Sequence, residues 1–277
     1  MSDPERNRAA RELAERALVR LVREYGDTPE FVLLGGLVPD LLCSGSARRH
    51  IGTTDIDVQV DLEIQGGSVN GARLEAALGR AGFRPDIQRV WRWKEESAPG
   101  MVVKIEFLAD QDDIPNETTV SFDQCESLGA VNLRGTGYAA RDYELRTITA
   151  ELDGNLASVE LRVATLPAYL LAKAHAARGR RLEKDWYDLA YVLLHNDDGG
   201  PAAAAARVQN RFGSMLVGAA ETALSELAAN FADADAQGSV AYATTMVAMH
   251  PDFDLDVLAN DAVAAVAEFG KALGIGS

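Results

Sequence analysis

Apolar residues recur at helical spacing near the start of the chain. Leu13, Ala17, Leu18, Leu21, Val22 and Tyr25 share one side, with Arg and Glu on the other, which predicts an amphipathic helix. The period then shortens. "EFVLLGG" reads as a short buried strand stopped by paired glycines, "LVPDLLCSG" as a short helix and "TTDIDVQVDLEI" as a strand. "GARLEAALGRAGF" predicts a further helix, followed by strands over "IQRVWRWKEE" and "MVVKIEFLAD" with the turn signal "SAPG" between them. Beyond "ASVELRVAT" helical periodicity takes over. "LPAYLLAKAHAARG" and "LEKDWYDLAYVLLHN" predict two helices joined over Gly179 to Leu182, and the Ala-rich stretch from Pro201 to Ser277 reads as helix with one weak break near "ADADAQGSV". The expected class is α+β, with an α/β domain containing a mixed sheet over residues 1–150 and a mainly helical domain over residues 151–277.

With 277 residues, 47% of them apolar, the chain can bury a sizeable core as one large or two small domains. No apolar run reaches the roughly 18 residues of a membrane span, and the charged opening lacks a signal-peptide pattern, so a cytoplasmic protein with no membrane partner is expected. Cys43 and Cys125 are too few for a disulfide framework or a cysteine-based zinc site and read as small core residues. A net charge of −15 excludes a protein coated in basic surface for long nucleic acid. It leaves room for a local basic patch, for which Arg48, Arg49, Arg178, Arg180 and Arg181 are the candidates.

The chemistry concentrates in "TTDIDVQV". Successive strand side chains point to opposite faces, so Asp55 and Asp57 share one face, while Ile56 and Val58 share the other. Two adjacent carboxylates repel unless a cation lies between them or one keeps a proton. Mg²⁺ suits such a pair, because it takes one or two carboxylates and completes its shell with water and phosphate oxygens. The alternative is an edge strand whose acids face solvent. Gly35 and Gly36 come upstream, between a strand and a helix start, where glycine lets backbone N–H groups approach a phosphate; by themselves they would equally form an ordinary tight turn. Glu106, alternating with Lys104 and Leu108 in an otherwise apolar strand, is a candidate third acidic ligand, with Asp110 as its competitor. Thr53 and Thr54 are candidate phosphate contacts or part of a solvated loop, and Trp91 and Trp93 could stack a base or pack in the core. His175 and His195 lack metal-ligand spacing and receive no role.

Through Gly35-Gly36, the Asp55-x-Asp57 pair and the later carboxylate Glu106, residues 30 to 110 resemble the DNA-polymerase-β-like nucleotidyltransferase superfamily. The resemblance implies that the glycines, with Thr53 and Thr54, hold a nucleoside triphosphate. It also implies that Asp55, Asp57 and Glu106 bind two Mg²⁺ ions, with catalysis by position and charge neutralisation. Glutamate at 106 stands where most members carry aspartate.

The second half resembles a narrower group. "LLAKAHAARGRRLEKDWYDLAYVLL" is similar to the lysine-then-Arg/Lys-Asp-x-x-Asp-Leu signature of AbiEii-type and MenT-type nucleotidyltransferase toxins, matching at Lys173, Arg178, Arg181, Lys184, Asp185 and Asp188. Asp185 and Asp188 are three apart and share a helix face. The resemblance implies that Lys173 meets the triphosphate, that Asp185 joins nucleotide binding, that Asp188 is needed for activity and that the helical domain completes the active-site cleft. Without that role, the segment would be a charged helical hairpin with Asp188 paired to Lys184. The implied function is Mg²⁺-dependent transfer of a nucleoside monophosphate from an NTP to an acceptor, with tRNA the leading acceptor and a cognate antitoxin as partner. An aminoglycoside-type small-molecule nucleotidyltransferase and a catalytically silent nucleotide-binding module are the alternatives.

Overall fold

The computed structural model describes residues 8–60, 68–98 and 100–275. Residues 61–64 of the expected acidic strand and Pro99 of the expected turn lie outside that set. The chain forms two compact units, one of residues up to Val38 with Gly52–Ala164, the other of Pro39–Ile51 with the chain from Thr165 onward.

The first unit opens with α1 (Arg8–Tyr25), β1 (Val32–Leu34) and a 3₁₀ turn at Gly35–Leu37, after which α2 (Val38–Leu42) carries the chain into the second unit. On its return the first unit adds β2 (Asp55–Gln59), α3 (Ser68–Arg80), β3 (Arg84–Asp86), β4 (Arg89–Ala98) and β5 (Met101–Ala109). It closes with β6 (Thr119–Ser121), β7 (Gly129–Asn132), α4 (Gly137–Arg141), β8 (Tyr143–Leu152) and β9 (Asn155–Ala164). The strands make one mixed sheet in the order β3-β4-β5-β2-β1-β9-β8, with β7 pairing to β5 and β6 to β7. β1 runs antiparallel to β2 and parallel to β9, and β2 runs parallel to β5. Alternation along the central strands sorts the faces. Ile56, Val58, Val103, Ile105 and Phe107 are buried, while Asp55, Asp57, Lys104 and Glu106 between them are half-buried. α1 buries Ala10, Ala14, Ala17, Leu18, Leu21 and Val22 and packs against α3 and the sheet.

β8 and β9 pair over their whole lengths around a two-residue turn in which Asp153 and Gly154 both have positive φ, 52° and 77°. This is the backbone geometry that matches the twist of a tight hairpin. The boundary expected at residue 150 falls inside this hairpin.

The second unit contains α5 (Leu166–Arg180), α6 (Glu183–His195), α7 (Pro201–Phe212), α8 (Ala219–Ala229), α9 (Gln237–Met249) and α10 (Leu255–Leu273). The Ala-rich stretch therefore breaks more than once. Asn230–Ala236 lies at the expected break, but the chain also turns at Gly213–Gly218 and at His250–Asp254, where Asp254 caps α10 by accepting from the Val257 N–H at 3.1 Å. The buried Trp186, Tyr187, Tyr191, Phe231, Tyr242 and Phe269 fill its core. The segment 39–51 is stitched to this unit. The Asp197 carboxylate accepts from the backbone N–H groups of Ser44 and Gly45 at 2.9 and 2.8 Å, Tyr191 donates its hydroxyl to Arg48 O at 2.7 Å, and Ile51 N–H donates to Tyr187 Oη at 3.2 Å. No helix among the described residues is long and apolar enough to cross a membrane.

Candidate active-site residues

In the first unit, the register of two parallel strands builds the acidic face. Asp55 lies opposite Lys104 and Asp57 opposite Glu106, and the antiparallel pairing of β4 places Arg92 opposite Glu106. Lys104 Nζ donates to Asp55 Oδ1 at 3.2 Å, and Arg92 forms a close ion pair with Glu106. The three carboxylates thus share their face with two cations, which lets them stand on neighbouring strands at modest electrostatic cost. Among the described residues no three His, Cys, Asp or Glu side chains come together as a metal-holding group. Asp110 serves the loop after β7: its Oδ2 accepts from Gly135 N–H at 2.8 Å and Gly137 N–H at 3.1 Å.

The diglycine turn is built around these acids. Leu34 pairs with Asp57, and Gly35 follows with φ of 75°, a left-handed conformation that favours glycine. A Cβ on Gly35 would stand 2.7 Å from Asp57 Cβ and Cγ, and one on Gly36 would stand 2.8 Å from Thr53 Cγ2. Thr53 and Thr54 are buried, so the solvated-loop reading of them does not hold, and Thr53 Oγ1 accepts from Asp55 N–H at 3.0 Å. Trp93 is buried in the core and Trp91 is half-buried.

In the second unit, α5 and α6 form the expected hairpin, closed by Arg181 in the left-handed conformation at φ 51°. Lys173, from α5, donates to Asp188 Oδ2 at 2.7 Å and Asp185 Oδ1 at 3.1 Å. Both aspartates are fully buried and Lys173 is nearly so. Asp188 therefore takes Lys173 of the neighbouring helix as a partner, in place of the local pairing with Lys184. Burial by itself would lower the Lys173 pKa, but the carboxylates of Asp188 and then Asp185 outweigh it and raise it above the ordinary 10.5. Arg180 donates to Asp185 Oδ1 at 3.1 Å, and His50 Nε2 lies 2.8 Å from Asp188 Oδ1.

Of the candidate basic patch, Arg178 pairs with Glu226, Arg180 with Asp185, and Arg48 stacks over Phe253 at 4.9 Å, while Arg49 and Arg181 are exposed. Cys43 is buried, as expected, and Cys125 is half-buried. His195 is packed against Tyr191, with Nε2 3.2 Å from the Tyr242 hydroxyl. Its pKa is pushed down to about 4 by burial and by Arg48.

Lys104, Arg92 and His50 escaped sequence reasoning as parts of these clusters. Alternation puts Lys104 beside Glu106 along one strand, but the pairing of β5 with β2 has no local signal. His50 sits in an irregular segment with no periodicity at all.

A mixed sheet that carries an acidic pair against a diglycine turn, with a helical unit after it, belongs to the nucleotidyltransferase class. The family profile described as "Nucleotidyl transferase AbiEii toxin, Type IV TA system" matches residues 16–268, nearly the whole chain. The protein belongs to this family of nucleotidyltransferase toxins of type IV toxin–antitoxin systems. No curated protein sequence matches the chain significantly. Membership implies a nucleotide substrate and a cognate antitoxin.

Proposed function

We propose that the protein transfers a nucleoside monophosphate from an NTP to an RNA acceptor, a tRNA 3′ end, with Mg²⁺ at Asp55 and Asp57, and that this transfer is its toxic act. The observation that carries the proposal is the packing of Asp57, on the same face as Asp55, directly against Gly35. Acidic pair and turn backbone are one unit, which suits a ligand presenting a cation and phosphates together.

The donor set fits the metal. Two carboxylates match one Mg²⁺ whose remaining positions go to water and phosphate. A second ion would draw on Glu106, for which Arg92 competes. When bound, Mg²⁺ supplies charge neutralisation on the phosphates and makes the attacking hydroxyl easier to deprotonate. In the first unit Gly35 and Gly36 offer backbone to phosphates and Thr53 supports the turn. In the second unit, taken by itself, Lys173 offers an ammonium suited to a nucleotide's phosphates, kept charged by Asp185 and Asp188.

The net charge of −15 favours a second reading, a cationic small acceptor of the aminoglycoside kind. Incubation with each radiolabelled NTP, Mg²⁺ and total cellular RNA tests both. The proposal expects a labelled tRNA band with the wild type and none with Asp57→Ala, and it expects wild-type expression to slow bacterial growth while Asp55→Asn does not. Label on aminoglycosides but not RNA would move the acceptor to small molecules. NTP binding with no turnover on RNA, protein or aminoglycoside would leave a silent nucleotide-binding module.

A further inference from the structure

We infer that His50 is a positioning residue for Lys173, acting through Asp188. The inference rests on the reading that Lys173 meets the triphosphate. One carboxylate bridges the two side chains, with Asp188 Oδ1 2.8 Å from His50 Nε2 and Oδ2 2.7 Å from Lys173 Nζ. An ionised carboxylate only accepts, so the bond requires a proton on His50 Nε2. Held at both oxygens, the Asp188 carboxylate cannot rotate without losing a bond to a buried partner.

His50 is itself held. Its ring sits 5.2 Å from that of Tyr187 and 5.1 Å from that of Tyr191, and its backbone N–H donates to Asp40 Oδ1 at 3.1 Å. The next residue, Ile51, donates its N–H to the same Tyr187 at 3.2 Å. A second carboxylate reaches the same ammonium: Asp185 Oδ1 lies 3.1 Å from Lys173 Nζ and is held by Arg180 at 3.1 Å. Lys173 thus hangs between two oriented carboxylates that take two of its three N–H donors and leave one for a further acceptor. A lysine stem otherwise has four rotatable bonds to disperse its charge. His50 removes that freedom without touching the nucleotide, as outer partners do for the ligands of a metal.

The test measures the affinity of the intact protein for α,β-methylene analogues of the four NTPs, with Mg²⁺, by titration calorimetry. These analogues cannot be turned over, so the acceptor does not enter. His50→Leu, which keeps bulk but loses the donor, and His50→Asn, whose amide stops short of Asp188, should each bind the preferred analogue about tenfold more weakly. His50→Gln places an amide N–H where Nε2 stood and should stay within about threefold of wild type. A residue that merely supported the fold would lower the melting temperature of all three variants and leave the affinity of the folded protein alone. Should His50→Leu not fold, the comparison of Gln with Asn decides, and equal affinity in the two overturns the role of His50. Lys173→Met separates the two levels of the claim. Unchanged affinity in Lys173→Met overturns the reading of the lysine itself. Weakened affinity there, with wild-type affinity in His50→Asn, overturns His50 alone.

Discussion

The Asp57 carboxylate packs against the Cα of Gly35, leaving no room there for a side chain. A methyl group at 35 would both collide with Asp57 Cβ and Cγ and strain a backbone at φ 75°. Displacing a reacting group by about 1 Å can cost roughly 10²-fold in rate. Gly35→Ala should therefore lose about a hundredfold in nucleotide transfer or more, measured by label incorporation. Gly100→Ala, at φ 77° with open space around its Cα, is the control for backbone strain without the collision. Equal transfer rates in the two variants would show that the approach to Asp57 does not matter.

Under the proposed reaction Glu106 would have two claimants, a Mg²⁺ ion and the Arg92 that pairs with it. Arg92→Met removes the competing cation at similar bulk and should shift the Mg²⁺ dependence of transfer to lower concentration, whereas Glu106→Gln should shift it higher and slow the reaction. A Mg²⁺ titration of initial rates checks both. Identical titrations in wild type, Arg92→Met and Glu106→Gln would mean that Glu106 only pairs with Arg92.

Lys173→Ala carries a structural penalty along with any loss of nucleotide binding. It would leave Asp185 and Asp188 buried without their shared cation, and breaking a buried pair from one side costs about 3–5 kcal/mol. Denaturant titration should show that loss, with a smaller one in Lys173→Met, whose stem still fills the space. The raised pKa sets the pH window. Because the folded ammonium holds its proton more tightly than the unfolded one, its stabilising contribution is full below pH 10.5 and disappears as pH rises through the higher folded value. Wild type should thus lose stability above pH 10.5 more steeply than Lys173→Met.

His195 works in the opposite direction. Its folded pKa, pushed down to about 4 by burial and Arg48, lies below the ordinary 6.5, so the unfolded chain takes up a proton that the folded chain refuses. Its neutral form supports the fold above pH 6.5, and that support is lost as pH falls from 6.5 toward 4. His195→Gln should flatten the decline in denaturation midpoint across this window, and an unchanged slope would place the acid sensitivity elsewhere.

Much of the candidate site's local geometry was legible in the sequence, because its informative residues lie close together in the chain and obey a local period. The two-residue repeat of a strand placed Asp55 and Asp57 on one face, and the helical spacing of Asp185 and Asp188 placed them on another. The paired glycines marked the turn. "LDGN" also held the signal for the β8–β9 hairpin, since Asp-Gly is a favoured two-residue turn, and that strand pair could have been read from it.

Tertiary structure alone decided the partners. Lys104 reaches Asp55 across 49 positions and His50 reaches Asp188 across 138, and neither separation leaves a trace in any local pattern. Strand order and register come from which faces can be buried together once loops have closed, so the parallel pairing of β2 with β5 was decided by the whole sheet. The same holds for Pro39–Ile51, which interrupts the first unit in the chain yet packs with the second. Sequence determined which side chains could carry the chemistry, because alternation and helical spacing are properties of the local backbone. Only folding decided which charges neutralise them, because a buried charge takes whatever partner packing brings within reach.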